Sequence, residues 1–172
     1  MKTGPTSSRI TEILESSGFR YELLENRIPI RSAAEGAAYW GIELGATAPA
    51  LVLWAQGRFL LLIVSGAARK VDFRALALEI EVDGIRMATA AEIREQFGLN
   101  PGQVPLFGLG LPTLVDRRLF AYDFVYGGSG DPGKTLKVAP EALLDLNEGS
   151  RMIDVPCLAE ETGKGERACE AG

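Results

Sequence analysis

The sequence predicts an α+β protein built on a mixed, largely antiparallel sheet. Three observations carry that prediction. Short apolar runs are joined by tight turn dipeptides, most plainly Ala50–Ala55 and Arg58–Val64 across Gln56-Gly57. The helical stretches are short and fall between these runs irregularly, without the strict strand–helix alternation of a doubly wound parallel fold. No internal repeat is present. With 172 residues, 47% of them hydrophobic and 24% charged, the chain suffices for one sizeable core.

Each element has a local reason. A first helix runs from about Ser8 to Ser17 and stops at Gly18. Tyr21 to Glu25 is a short strand. Ser32-Ala33-Ala34-Glu35 and Thr89-Ala90-Ala91-Glu92 both have the spacing of a capping box, and glycines 41 and 98 end the helices they open. Asp72 caps a further helix over Phe73–Glu79. Ile85–Ala88, Thr113–Val115, Leu119–Tyr126, Thr135–Val138 and Arg151–Val155 read as strands, and Asp116-Arg117-Arg118 as a tight turn. Pro140 fits the first position of a helix over Glu141–Leu146. Trp40 and Trp54 read as core, with stacking on an adenine the sharper alternative. The domain is expected over residues 1–156. Residues 157–172 are polar and glycine-containing, and are expected to be a disordered tail.

Composition excludes several function classes. There is no histidine, so neither Ser-His-Asp nor Cys-His chemistry can be assembled within the chain, and the commonest metal ligand is missing. The net charge of −5 is wrong for a general DNA- or RNA-binding surface, although a partner that inserts a single nucleotide end remains compatible with it. No run approaches the roughly 20 apolar residues of a membrane span, and the first residues lack the apolar stretch of a secretory signal. Cys157 and Cys169 both stand near the end and suggest no disulfide framework. The expected compartment is the cytoplasm, with neither DNA nor membrane as partner.

One stretch, GGSGDPGKT at residues 127–135, satisfies the phosphate-loop pattern from Gly128 to Thr135. That pattern needs a helix opening at its Lys-Thr. Here Leu136-Lys137-Val138 alternates like a strand, and Pro140 would fall in the second helical turn. A glycine-rich connection between two antiparallel strands is therefore expected, and nucleotide hydrolysis is kept only as an outside reading.

Several phrases, taken in order, resemble one family. They are Ser32-Ala33-Ala34-Glu35-Gly36-Ala37-Ala38, Val64-Ser65-Gly66-Ala67-Ala68-Arg69-Lys70-Val71-Asp72, Met87-Ala88-Thr89-Ala90-Ala91-Glu92-Ile93, and Pro101-Gly102-Gln103-Val104-Pro105-Leu106-Phe107-Gly108. Leu114-Val115-Asp116 follows, before a strand that ends in the glycine-rich loop. Over about residues 8 to 155 the chain resembles the YbaK-like domain, the editing domain of bacterial prolyl-tRNA synthetases and its free-standing relatives. The resemblance implies a barrel-like mixed sheet and hydrolysis of mischarged aminoacyl-tRNA bearing a small amino acid, without cofactor or metal. The partner would be the acceptor end of aminoacyl-tRNA. Its pocket takes the terminal adenosine and the ester, backbone N–H groups grip the ester oxygen or the water, and the substrate's own ribose hydroxyl assists.

Carried over residue by residue, the resemblance puts Gly102 at the catalytic loop. It puts Ser32, Phe107, Gly108, Asp116, Gly128, Ser129 and Gly130 around the substrate. Pro105 stands three residues after Gly102, where the family has its proline four after, and Leu106 holds that fourth place. The family's strand lysine falls on Pro49, which has neither a charge nor an N–H. Its frequent histidine falls near Arg27. Lys134, Lys137, Lys70 and Arg27 are candidates to replace the lost cation, and Lys134 is preferred because the glycine-rich loop borders the pocket. Two readings follow: a deacylase acting in trans, or a module on the same fold that binds an aminoacyl ester, an amino acid or a nucleotide without turnover.

Overall fold

The computed structural model describes residues 4–158, with side chains from residue 9 onward. The chain runs α1 (Gly4–Ser17), β1 (Tyr21–Glu25), α2 (Ala33–Trp40), β2 (Thr47–Ala48), β3 (Ala50–Ala55), β4 (Arg58–Ile63), α3 (Phe73–Glu79), β5 (Arg86–Met87), α4 (Ala90–Phe97), β6 (Thr113–Asp116), β7 (Val125–Gly128), β8 (Lys134–Val138), α5 (Glu141–Asp145) and β9 (Arg151–Ile153). Short 3-10 helices at Leu44–Ala46, Pro101–Gln103 and Arg117–Ala121 fill three of the connections.

The strands form two sheets, ordered β1-β8-β7-β2 and β5-β3-β4-β6-β9. The pairs β1–β8, β7–β8, β3–β4 and β3–β5 are antiparallel. The pairs β2–β7, β4–β6 and β6–β9 are parallel. This is the expected mixed α+β architecture, but the sheet does not close, which corrects the barrel-like expectation. Pro49 stands where the chain leaves the first sheet at β2 and enters the second at β3. A residue without an N–H suits such a crossing, because neither ladder needs a donor there. Its carbonyl still accepts from the Val64 N–H at 3.0 Å.

Local chemistry explains the turns. Gln56 (φ 50°) and Gly57 (φ 81°) both take left-handed backbone, as a two-residue hairpin twisted with its strands requires. The Thr89–Glu92 capping box is reciprocal: Glu92 N–H donates to Thr89 Oγ1 at 3.1 Å, and Thr89 N–H donates to Glu92 Oε1 at 2.9 Å. At α2 only half of the expected box forms. Glu35 N–H donates to Ser32 Oγ at 3.1 Å, but the Glu35 carboxylate accepts from Arg31 N–H, at 2.8 Å, and not from the Ser32 N–H. Pro140 is the cap of α5 and not its first helical residue.

One expected strand is corrected. Leu119–Tyr126 is not continuous strand, because residues 117–121 coil into a 3-10 helix and β7 starts only at Val125. Asp116 seeds that coil, its Oδ1 accepting from Arg118 N–H at 3.0 Å.

The larger core lies around Phe107, Leu61, Ile63, Leu106, Val115, Leu136 and Leu143, and α1 closes it through Ile10 and Leu14. A second cluster packs α3, through Leu76, against Leu53, Leu62 and Leu114. Where the expected tail begins, Cys157 bridges to Val71 and Leu158 N–H donates to the Lys70 carbonyl at 2.8 Å. Residues 159–172, including Cys169, lie outside the described residues.

Candidate functional site

A cleft of about 470 Å³ opens where the two sheets part company. One wall is the run from the end of β1 into α2, with Asn26, Ile30, Arg31, Ser32, Ala33, Gly36 and Trp40. The floor is Thr47–Leu51, the strand that changes sheet at Pro49. The Pro101–Val104 segment faces it, and the β7–β8 connection from Tyr126 to Pro132, with Lys134 and Thr135, completes the rim.

The β7–β8 connection is a hairpin loop, with Gly128 registered opposite Thr135. Lys134 and Thr135 lie in β8 and open no helix. The loop is stitched by its own polar groups. Ser129 Oγ donates to the Lys134 carbonyl at 2.8 Å and accepts from Asp131 N–H at 3.2 Å. Asp131 Oδ1 accepts from Gly133 N–H at 2.8 Å. Asn26 ties the loop to β1: its N–H donates to the Gly133 carbonyl at 2.8 Å, and its Oδ1 accepts from Thr135 Oγ1 at 2.8 Å. With so many of its donors turned inward, the loop is a rigid wall and not a phosphate cradle.

Glycines in β7 let the opposite segment settle against that wall. A Cβ on Gly128 would run into the Val104 carbonyl, and one on Gly127 would press on Leu106 and lie 2.9 Å from the Ala48 carbonyl. The Leu106 N–H donates to the Gly128 carbonyl at 3.2 Å, so Pro101–Leu106 is held edge-on against the sheet. Gly102 differs, because a Cβ there would meet nothing within 4 Å. Its N–H stands in the first turn of a three-residue helix, where no intrahelical acceptor exists. The neighbouring Gln103 N–H is used internally, donating to the Asn100 carbonyl at 2.9 Å.

Arg31, Tyr126, Asp131 and Lys134 are the ionisable residues of the lining. Lys134 is half-buried, Arg31 is exposed at the rim, and neither forms an ion pair among the described residues. The indole Nε1 of Trp40 is buried with no hydrogen-bond partner, alone in this among the described side chains.

The family model of the aminoacyl-tRNA editing domain matches residues 28–146. The chain belongs to the aminoacyl-tRNA editing domain family. Among solved structures it is similar to a candidate trans-editing enzyme for prolyl-tRNA synthetase, at 30% identity and a TM-score of 0.77 over 89% of this chain and 98% of that one. A hypothetical protein matches at 26% identity and a TM-score of 0.77, over 86% of this chain and 98% of the other. A candidate signal-transduction protein from Marinobacter aquaeolei shares the fold alone, at 21% identity and a TM-score of 0.61, over 86% of this chain and 30% of that one.

Of the site residues expected from the sequence, Ser32, Pro49, Gly102, Gly128, Ser129, Gly130 and Lys134 line the cleft together. Phe107, Gly108 and Asp116 do not. Phe107 is fully buried in the main core. Gly108 (φ 98°) lies under α1, where a Cβ would come within 3.0 Å of Ile10 Cδ1. Asp116 is 0% exposed and pairs with Arg118 at 2.9 Å. Its Oδ2 also accepts from Ser65 N–H at 2.9 Å, and Ser65 Oγ in turn donates to the Gly45 carbonyl at 2.8 Å. Gly66 N–H donates to the Thr47 carbonyl at 2.9 Å. Asp116 is thus a strut beneath the strand that forms the cleft floor.

Among the other cations weighed, Lys137 stacks over Phe124 and Tyr126 beside Glu22, and Lys70 and Arg27 are exposed and outside the lining. Arg31, Asn26 and Asp131 are lining residues that sequence reasoning left out, and Trp40, read there as core with adenine stacking as the alternative, also lines the cleft. The signal available for Arg31 was its place directly before the helix cap Ser32.

Proposed function

We propose that this chain hydrolyses the ester of a mischarged aminoacyl-tRNA carrying a small amino acid, acting in trans in the cytoplasm on the acceptor end. The observation that carries the proposal is the convergence of Ser32, Pro49, Gly102, Gly128, Ser129, Gly130 and Lys134 on one cleft, in a chain of the editing family. Water adds to the ester carbonyl carbon, giving a tetrahedral oxyanion. The bond to the ribose oxygen then breaks, the ribose oxygen keeps a proton, and the free amino acid leaves. With no histidine in the chain, the substrate's neighbouring ribose hydroxyl relays the proton.

In this reading the Gly102 N–H meets the ester oxygen. Lys134 supplies from β8 the positive charge that Pro49 cannot supply from the floor. An oriented donor at a developing oxyanion is worth about 3–4 kcal/mol in a site that excludes water. Incubation of the purified protein with Ala-, Ser-, Cys- and Pro-charged tRNA tests the proposal. Deacylation of at least one above the buffer rate is expected, and none at micromolar folded protein would refute it. Pro49 in place of the family lysine favours a second reading, a module that holds the same ligand without turnover. Binding of an uncleavable aminoacyl-adenosine analogue together with no deacylation would select it.

A further inference from the structure

We infer that Arg31 forms a phosphate clamp at the cleft rim, taking the phosphodiester that precedes the terminal adenosine of a nucleic-acid 3′ end. The inference rests on the proposed occupancy of the cleft by that adenosine. Arg31 lies on the lining immediately before Ser32, with its side chain at the exposed edge. Its backbone is fixed, because the Arg31 N–H donates to Glu35 Oε1 at 2.8 Å. The guanidinium is left over: no carboxylate lies within ion-pair distance of it among the described residues.

Arg31 and Lys134 are the two cations of the cleft lining, in a chain of net charge −5. Glu35, four residues on, accepts from the Arg31 N–H, and Asp131, the carboxylate of the cleft lining, accepts from the Gly133 N–H. Depth divides the labour of the two cations. Lys134 is half-buried and reaches the ester, whereas Arg31 at the rim meets what enters last, the sugar–phosphate chain. The planar fork of a guanidinium matches two phosphate oxygens, which an ammonium cannot do. One such contact adds affinity without requiring a basic surface, which reconciles a nucleic-acid end as ligand with an acidic protein.

Calorimetry on the full chain with adenosine and with the dinucleotide cytidylyl-adenosine tests this. The dinucleotide is expected to bind about tenfold tighter, the gain of one charge-assisted contact, and the gap should shrink as salt rises. Arg31→Gln should abolish the gap while leaving adenosine affinity unchanged. Because the backbone N–H makes the structural bond, the variant should unfold at the wild-type temperature. Equal binding of the two ligands by wild type, a gap that survives Arg31→Gln, or no binding of either would overturn the clamp. Deacylation of charged tRNA with no gap sinks the clamp alone, and a gap without deacylation sinks the hydrolase reading alone.

Discussion

Two glycines face each other across the cleft, and they are glycine for opposite reasons. Gly128 in β7 has no room for a side chain, since Val104 of the other wall is pressed against it. Gly102 in the facing segment has open space where its side chain would be. The first glycine is required by packing and would be required in an empty protein. The second is unexplained by anything inside the protein, and its N–H has no helical acceptor. A glycine that the fold does not need, on a wall that the fold has positioned with care, is the place to look for a ligand.

The same contrast separates the acidic and basic residues. Asp116 is consumed by the structure, and Lys134 is not. Asp116→Ala should give the largest effect on stability. It takes the carboxylate away from the Arg118 guanidinium and the acceptor away from the Ser65 N–H, and losing one partner of a buried pair costs about 3–5 kcal/mol. Chemical denaturation checks this, and a loss under 1 kcal/mol would remove Asp116 from its role beneath the floor. Lys134→Met should leave the melting temperature unchanged and lower deacylation about a hundredfold, the usual cost of one charge-stabilising donor.

Gly128→Ala should destabilise by about 1–3 kcal/mol through forced repacking against Val104. Gly102→Ala should be neutral in stability, with deacylation falling roughly tenfold, about 1.4 kcal/mol in the barrier. If the two alanine variants behave alike in denaturation, the distinction between packed and open glycine fails.

The smallest effect expected lies far from the cleft. Hydrogen bonds from Arg86, and then the Thr89 N–H, hold the Glu92 carboxyl down at about 2. Because the folded value lies below the unfolded one, this interaction stabilises above the ordinary Glu range and is lost as pH falls toward 2. Glu92→Gln should flatten the acid limb of a stability curve slightly and leave cleft chemistry untouched.

Much of the fold was legible because local chemistry decided it. Ser32, Asp72 and Thr89 cap helices for reasons contained in four residues, and Gln56-Gly57 can hardly be anything but a hairpin turn. The strand read over Leu119–Tyr126 failed because its apolar residues fit a sheet as well as a coil. What decided the matter was Asp116 accepting from Arg118 N–H, together with the Tyr122 hydroxyl reaching Glu43 at 3.2 Å, a contact far away in sequence. The glycine-rich loop and Gly102 were legible as neighbours only through the ordered phrases of the editing family, since nothing local brings residue 102 near residue 128. Asp116 was read as a substrate contact because a buried strut and a site acid look alike in sequence. Arg31 went unread because exposure and the absence of a partner are properties of the fold.

The central claim is that charge lost at position 49 has been restored from position 134. The most direct test compares deacylation rates of wild type, Lys134→Met, Pro49→Lys and the double variant on the same charged tRNA. The account predicts a loss of about a hundredfold for Lys134→Met, substantial recovery when Pro49→Lys is added, and little gain from Pro49→Lys alone. A Lys134→Met protein that deacylates at the wild-type rate would contradict it.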